Sequence, residues 1–313
     1  MSGPGRIGRI QRGFGLAALA LLGWLAGCAP ASTGPVSTGH PLEGVIWDVA
    51  AGRAISEAEL AAALDAADVA VLGEIHDNPA HHRRQARMVA AIAPAGIAFE
   101  MVPEASEEGI LVFRAEGGDA AAIGPAIGWD RLGWPDWALY RPVFEAAGDA
   151  YVAGAAVTRD RLKLAIGASA GIAFGPGARA YGLGAPLPPA QQAAAEAEMV
   201  AAHCGALPAS AAPGMVEAQR LRDARLAHAV RRAAVLGGGQ VAAIMGNGHA
   251  RRDRGMPLYL AASEPGLALR VLGQLETDPA RRQVADYPAG ALPYDYVWFA
   301  PPADREDPCA AFR

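Results

Sequence analysis

The segment Val71-Leu72-Gly73-Glu74-Ile75-His76-Asp77-Asn78-Pro79-Ala80-His81-His82 carries three histidines and two acids directly after an apolar run. Glu74 and His76 are two apart, and the period of two along a strand sends both side chains to the same side. Glu100 closes a second run, Ala98-Phe99-Glu100-Met101, and His249 follows a third, in Met245-Gly246-Asn247-Gly248-His249. In open α/β sheets ligands bind outside the carboxyl ends of the strands, so these four residues are expected to converge. Each alone has a bland reading, a solvated strand-end Glu or a loop His; it is their joint occurrence that suggests a site. A mixed Glu/His set suits acid–base work or metal binding. Glu74 would then be the base, with His76, Glu100 and His249 as partners or metal ligands. A tight metal signature such as H-E-x-x-H is absent. One of His81 and His82, early in the next helix, is expected to face the site and the other to face solvent.

Two further groups add to this set. Trp129, Trp134, Trp137, Tyr140 and Phe144 form an aromatic block, with spacings of three, three and four from Trp134 onward that make one helical face. It reads either as core or as the wall of a pocket for a flat apolar ligand, with the Tyr140 phenol as polar handle or iron ligand. Gln219, Arg222 and Asp223 are surface neighbours on a long helix. They read either as a solvated face or as an Arg reaching a carboxylate or propionate. There is no C-x-x-C-H and no G-x-x-x-x-G-K-[ST].

The elements that must position these residues follow from pattern. Val69–Gly73 and Gly96–Met101 read as buried strands around a helix from Pro79 to about Ile92, a β-α-β unit and so part of a parallel sheet. Ser56-Glu57-Ala58-Glu59 has capping-box spacing and opens a helix through Leu64. Other strands are expected at Val45–Val49, Tyr151–Val157, Gln240–Met245, Leu267–Gln274 and Tyr294–Phe299. Helices are expected after Thr158 and from Met215 to Leu236, the latter stopped by Gly237-Gly238-Gly239. The fold class is α/β, a parallel-rich sheet flanked by helices with a smaller inserted helical domain. Residues 43–102, 149–185 and 214–300 form the α/β body, 103–148 and 186–213 a helical cap, and 301–313 a C-terminal tail.

The chain has 313 residues, 52% hydrophobic and 19% charged, too apolar for a disordered protein. Its net charge of −5 and pI near 5.8 exclude a general basic field for nucleic acid. Lys163 is the sole lysine, so Arg richness is a compositional bias and weak evidence for phosphate binding. Arg6, Arg9 and Arg12 precede a short apolar run, Phe14 to Leu25, with the layout of a secretory signal. It is too short to span a bilayer. Leu25-Ala26-Gly27-Cys28 resembles the bacterial lipobox, which implies lipidation at Cys28, and Ala29 behind it implies outer-membrane sorting. Residues 1–27 are then a signal peptide and 28–42 a flexible tether. Loss of 1–27 removes three Arg and no acid and moves the charge from −5 to −8. The remaining pair, Cys204 and Cys309, suits a disulfide in an oxidising compartment; two buried thiols are the alternative.

Taken together, Leu72-Gly73-Glu74-Ile75-His76-Asp77 with its downstream histidines, Phe99-Glu100-Met101, Trp134-Pro135-Asp136-Trp137 with Tyr140, Gln219 with Arg222-Asp223, and Gly246-Asn247-Gly248-His249 resemble the ChaN-type haem-binding lipoproteins over about residues 43–300. The resemblance implies non-covalent haem, two haems between two protomers, and a role in haem or iron acquisition at the periplasmic side of the outer membrane. Tyr140 or His249 would ligate the iron, with Tyr181 and His76 in reserve, and Glu74, Glu100 and Arg222 would complete the pocket. The family is also related to Tiki-type peptidases and erythromycin esterases. Those use a Gly-Glu-x-x-His-like segment, one residue longer than Gly73-Glu74-Ile75-His76. A haem-binding protein that is not an enzyme and a hydrolase, metal- or acid–base-assisted, therefore both stay open, beside a structural lipoprotein with a vestigial site.

Overall fold

The computed structural model describes residues 38–307 and 309–310. The signal-like segment, Cys28 and most of the tether lie outside the described residues. The chain begins with β1 (Ile46–Asp48), β2 (Arg53–Ile55), α1 (Glu57–Asp65), β3 (Val69–Glu74), α2 (Pro79–Ile92) and β4 (Gly96–Pro103). It continues through α3 (Glu107–Ala115), α4 (Ile123–Ile127), α5 (Trp137–Ala147), β5 (Tyr151–Ala156), α6 (Arg159–Gly167), α7 (Ala170–Phe174) and α8 (Pro189–Ala202). It ends with α9 (Ala212–Gly237), β6 (Val241–Gly246), α10 (Asn247–Ala250), α11 (Met256–Ser263), β7 (Leu269–Glu276) and β8 (Tyr296–Ala300).

The strands form one sheet in the order β2-β1-β8-β7-β3-β6-β4-β5. From β8 to β5 every pairing is parallel, and the β1–β2 hairpin adds antiparallel to β8. The fold is α/β, as the β-α-β pattern predicts. β3 is buried along its whole length, which is why it reads as a continuous apolar run instead of an alternation. Ala70 and Leu72 join one core with α1, α2 and α5. Val69 and Val71 join the other, with α7, α9 and α11.

That alternation decides where the inserted helices go. Ile110, Ile123, Trp129, Tyr140 and Phe144, all from 103–148, pack into the α2 side. α8, from 186–213, instead lies on α9, which belongs to the opposite core. The two stretches grouped above as one cap thus line different faces of the sheet. Their apolar stripes each find a different partner, and neither needs the other to be buried.

Local signals place the elements as expected. The Ser56 side chain accepts from the Glu59 amide at 3.2 Å, and the Glu59 carboxylate accepts from the Ser56 amide at 2.7 Å. Asn78 caps α2 by accepting from the Ala80 amide at 2.9 Å, and Pro79 fills the first helical position. Cys204 and Cys309 are disulfide-bonded, with Cα atoms 5.6 Å apart. Among the described residues no helix is long and apolar enough to cross a membrane.

Candidate functional site

β3, β4 and β6 are neighbours in the sheet, and their carboxyl ends deliver Glu74, Glu100 and Gly246 to one place. β4 pairs with β6 as far as Phe99 and Ile244. Beyond that the Glu100 carboxylate replaces the ladder and accepts from the Gly246 amide at 2.7 Å. At Gly73 a side chain is sterically excluded, because a Cβ there would sit 2.4 Å from the Asn247 side-chain oxygen. That close approach locks the turn after β6, with Asn247 Nδ2 donating to the Gln274 carbonyl.

Glu74 is buried at the centre of the first cluster. Its Oε1 accepts from the Tyr140 hydroxyl at 2.9 Å and lies 2.8 Å from His76 Nδ1. Its Oε2 lies 3.1 Å from His82 Nδ1, and the other ring nitrogen of His82 donates to the His76 carbonyl at 2.8 Å. Burial alone would raise the Glu74 carboxyl, but His82 and His76 outweigh it and hold it well below the usual carboxylate range. The same pairing raises both imidazoles against their burial. His82 thus has an acceptor on each nitrogen, which suits a protonated ring.

Both His81 and His82 are buried, so the expected division into one inward and one exposed ring does not occur. The cause is the first turn of α2, which docks directly on the end of β3. His81 Nδ1 accepts from the Ile75 amide at 2.9 Å. Burial, aided by Arg84, lowers its pKa to about 3 and keeps it neutral.

The second cluster is a carboxylate–imidazole–carboxylate chain. His249 Nε2 lies 3.3 Å from Glu100 Oε1, and Nδ1 lies 2.7 Å from Asp223 Oδ1. Burial favours the neutral ring, yet the two carboxylates outweigh it and lift His249 to about 10. Glu100 is held down to about 2 against its own burial, chiefly by His249. Burial pushes Asp223 up to about 6 despite that imidazole. His76 links the clusters, with Nε2 4.0 Å from Glu100 Oε2.

Beside these clusters opens a cleft of about 480 Å³, lined by Glu100, Met101, Leu132, Trp134, Leu226 and His249 and rimmed by Arg131, Arg159 and Arg222. The three guanidinium groups make no hydrogen bond or ion pair with any described residue, whereas Arg232, Arg252, Arg254 and Arg305 are all paired. Arg222 was singled out in the sequence; Arg131 and Arg159 were not. Arg159 opens α6, three residues past the end of β5, and that position near a strand's carboxyl end was its one signal. His76 adjoins the cleft through Trp134, its ring 4.9 Å from that indole and edge-on to it.

Tyr140 and His249 both belong to the site, but neither offers a lone pair to the cleft. Tyr140 is fully buried, donates to Glu74, and is raised far above an ordinary phenol by burial and by that carboxylate. His249 has each nitrogen against a carboxylate. Tyr181 packs against His228 and Arg231, further along α9, and is not in the site. His76 keeps the less committed nitrogen, with a side chain 33% exposed. Among the described residues no group of three or more His, Cys, Asp or Glu is arranged to hold a metal ion.

The sequence pattern of the family described as "Haem-binding uptake, Tiki superfamily, ChaN" matches residues 60–260, more than half of the chain. The chain belongs to the ChaN haem-binding uptake family. Among solved structures it is similar to that of ChaN from Campylobacter jejuni, described as showing cofacial haem binding. The TM-score is 0.62 and the identity 18%, over 81% of this chain and 95% of that one. At that identity the likeness shows the fold, a ChaN-like α/β fold. A weaker likeness is to the type III effector HopBA1, with TM-score 0.41 and 15% identity over 77% and 91% of the two chains. No curated protein sequence matches the chain.

The residues of the cleft fit a haem. Its walls offer apolar surface and the Trp134 indole for a flat macrocycle, its rim offers unpaired cations for two carboxylates, and His76, packed beside Trp134, offers an imidazole for iron.

Proposed function

We propose that this ChaN-family protein binds haem non-covalently in the cleft at the carboxyl ends of β3, β4 and β6, and serves haem or iron acquisition in the cell envelope. The observation that carries the reading is the convergence of Arg131, Arg159 and Arg222, none of them paired, on a cleft walled in part by Trp134, with partly exposed His76 packed beside that indole. A bound haem would supply an iron that an imidazole can ligate. His76 would face it, with Glu74 on its other nitrogen fixing the ring, the arrangement common for metal-bound histidines. Arg222 and Arg159 would meet the propionates through charge-assisted hydrogen bonds. Trp134 would cover a face of the macrocycle. Tyr140 and His249 act as positioning residues, Tyr140 through Glu74 and His249 through Glu100.

Cys28 is proposed as a lipid anchor at the periplasmic side of the outer membrane. A homodimer around paired haems is proposed by analogy with the cofacial haem binding of the Campylobacter jejuni protein. Titration with hemin tests the central claim. A Soret shift is expected, abolished or changed in type by His76→Ala and retained by Tyr140→Phe. Absence of any shift in the unaltered protein would sink it. Sedimentation with and without hemin tests the dimer, and acyl labelling of Cys28→Ser against the unaltered chain tests the anchor.

The hydrolytic alternative is less well served by the geometry. A general base works best with a pKa near the operating pH, and Glu74 and Glu100 are both held far below it.

A further inference from the structure

A second cavity, of about 460 Å³, lies on the far side of the Asp223–His249 pair from the haem-side cleft. α8 roofs it, α9 and α11 form its walls, and Gly248 opens onto it. A side chain added at Gly248 would meet nothing within 4 Å. The apolar lining comes from Ala195 and Met199 of α8, Val216 of α9 and Leu258 of α11. This is the size and make-up of a small-molecule pocket, apolar walls with few polar groups.

The charges around it differ from those of the first cleft. There the cations are unpaired. Here each charged side chain of the lining already has a partner. Arg220 pairs with Glu217 at 2.6 Å, Arg254 with Glu198, Asp253 with Arg251 at 2.6 Å, and Asp223 with His249 at 2.7 Å. An ionic ligand would lose its hydration and find no free counter-charge. The polar groups left over are the exposed Gln191 carboxamide, Arg220 Nε, which is buried without a hydrogen-bond partner, and the Gln219 carboxamide, whose Nε2 lies 3.2 Å from His249 Nδ1. Both ring nitrogens of His249 point at carboxylates, so both carry hydrogen and neither can accept. The Gln219 oxygen therefore belongs on the ring side, which leaves its NH₂ group for the cavity.

The geometry points to a second ligand site between α8, α9 and α11 that takes an uncharged, mainly apolar small molecule bearing one hydrogen-bond acceptor, held by Gln219. An occupant touches Gln219 and Asp223, which hold His249, so filling this cavity is felt at the wall of the haem-side cleft.

Prodan, an uncharged naphthalene dye with a single ketone, is a suitable probe. The protein is expected to bind one prodan with a blue-shifted emission. Ala195→Phe and Met199→Trp each fill the cavity and are expected to weaken binding by about tenfold or more. α8 buries no side chain completely, so both variants should keep the melting temperature of the unaltered chain. Two substitutions guard against failure of either one. The anionic dye 1-anilinonaphthalene-8-sulfonate should bind far more weakly than prodan. The His249 ring resonances in an NMR spectrum should move with prodan in the unaltered protein and not in Ala195→Phe. No prodan binding, equal binding by both folded variants, equal binding of the anionic dye, or unmoved His249 resonances would each overturn the assignment. None of these readouts involves haem, so the result is separate from the haem reading.

Discussion

Glu74 satisfies Tyr140, His76 and His82 at once, and removing its charge should be felt by all three. Glu74→Gln leaves buried His82 without its counter-ion, so a loss of about 3–5 kcal/mol is expected in urea unfolding, the usual cost of breaking a buried pair. Tyr140→Phe removes one hydrogen bond to a carboxylate, and a smaller loss of about 1.5–3 kcal/mol is expected. The pH dependence has opposite signs on its two sides. His81, at about 3 in the folded state against 6.5 ordinarily, binds fewer protons folded than unfolded. Its contribution is lost as pH falls from 6.5 toward 3, at up to about 1.4 kcal/mol per pH unit. Glu100, at about 2 against 4.5, adds a further loss below 4.5. His249, at about 10, does the reverse; its contribution is complete below 6.5 and fades as pH rises toward 10. Asp223, at about 6 against 3.8, opposes His81 between those values, so melting temperature against pH should be nearly level from about 4 to 6.5 and fall on either side, and His81→Gln should change the acid side alone. A single peak with no change in His81→Gln would refute this assignment. Glu74, His76, Glu100 and His249 were legible because each lies in an apolar strand run or within three residues after one. Arg131 and Arg159 were not, because an unpaired Arg looks like any other in a chain where Arg supplies nearly all the cations.

The packing of α9 on the sheet depends on Gly96 at the start of β4. A Cβ at that position would stand 2.4 Å from the Ala233 carbonyl oxygen of α9, a backbone atom with little room to yield. Gly96→Ala is expected to cost about 1–3 kcal/mol, as overpacking does, and calorimetry would show it as a lowered melting temperature. A neutral result would mean that α9 can slide along β4, and with it Asp223 away from His249. The long elements were readable from the sequence. α9 shows helical periodicity and a glycine stop, α2 has a proline start and an asparagine cap, and β3 is continuously apolar. Short ones were not. β2 is three residues, Arg53–Ile55, with no residue fully buried, and its strand state comes from pairing with β1 alone. α11 is apolar around much of its girth and so has no amphipathic signature. Which face a helix joins was equally hidden, since α5 buries four residues against one core and α8 lies on α9 of the other, and neither pattern says which core it meets.

At the scale of the molecule the C-terminal segment crosses from the end of β8 toward α8. Arg305 holds Asp77, the neighbour of His76, at 2.7 Å and Glu276 at 2.5 Å, and Cys309 then joins Cys204. Closing a loop of 105 residues stabilises by up to about 4.7 kcal/mol in the chain-entropy model. Cys204→Ser with Cys309→Ser should lower the urea midpoint without changing the sheet's circular dichroism. An unchanged midpoint would show that the segment is held by Arg305 alone. The same bond divides the site between two parts of one covalent figure. Asp223 and His249 lie on a closed ring, while Glu74, His76 and Glu100 lie on the open arm that leads into it. A protease that cuts once anywhere between residues 205 and 308 therefore leaves a single covalently joined molecule. On a non-reducing gel it does not fall into two fragments, and only a thiol releases them. Backbone nicking in that region is silent until the surroundings become reducing, and the Asp223–His249 pair stays tethered to its partners until then.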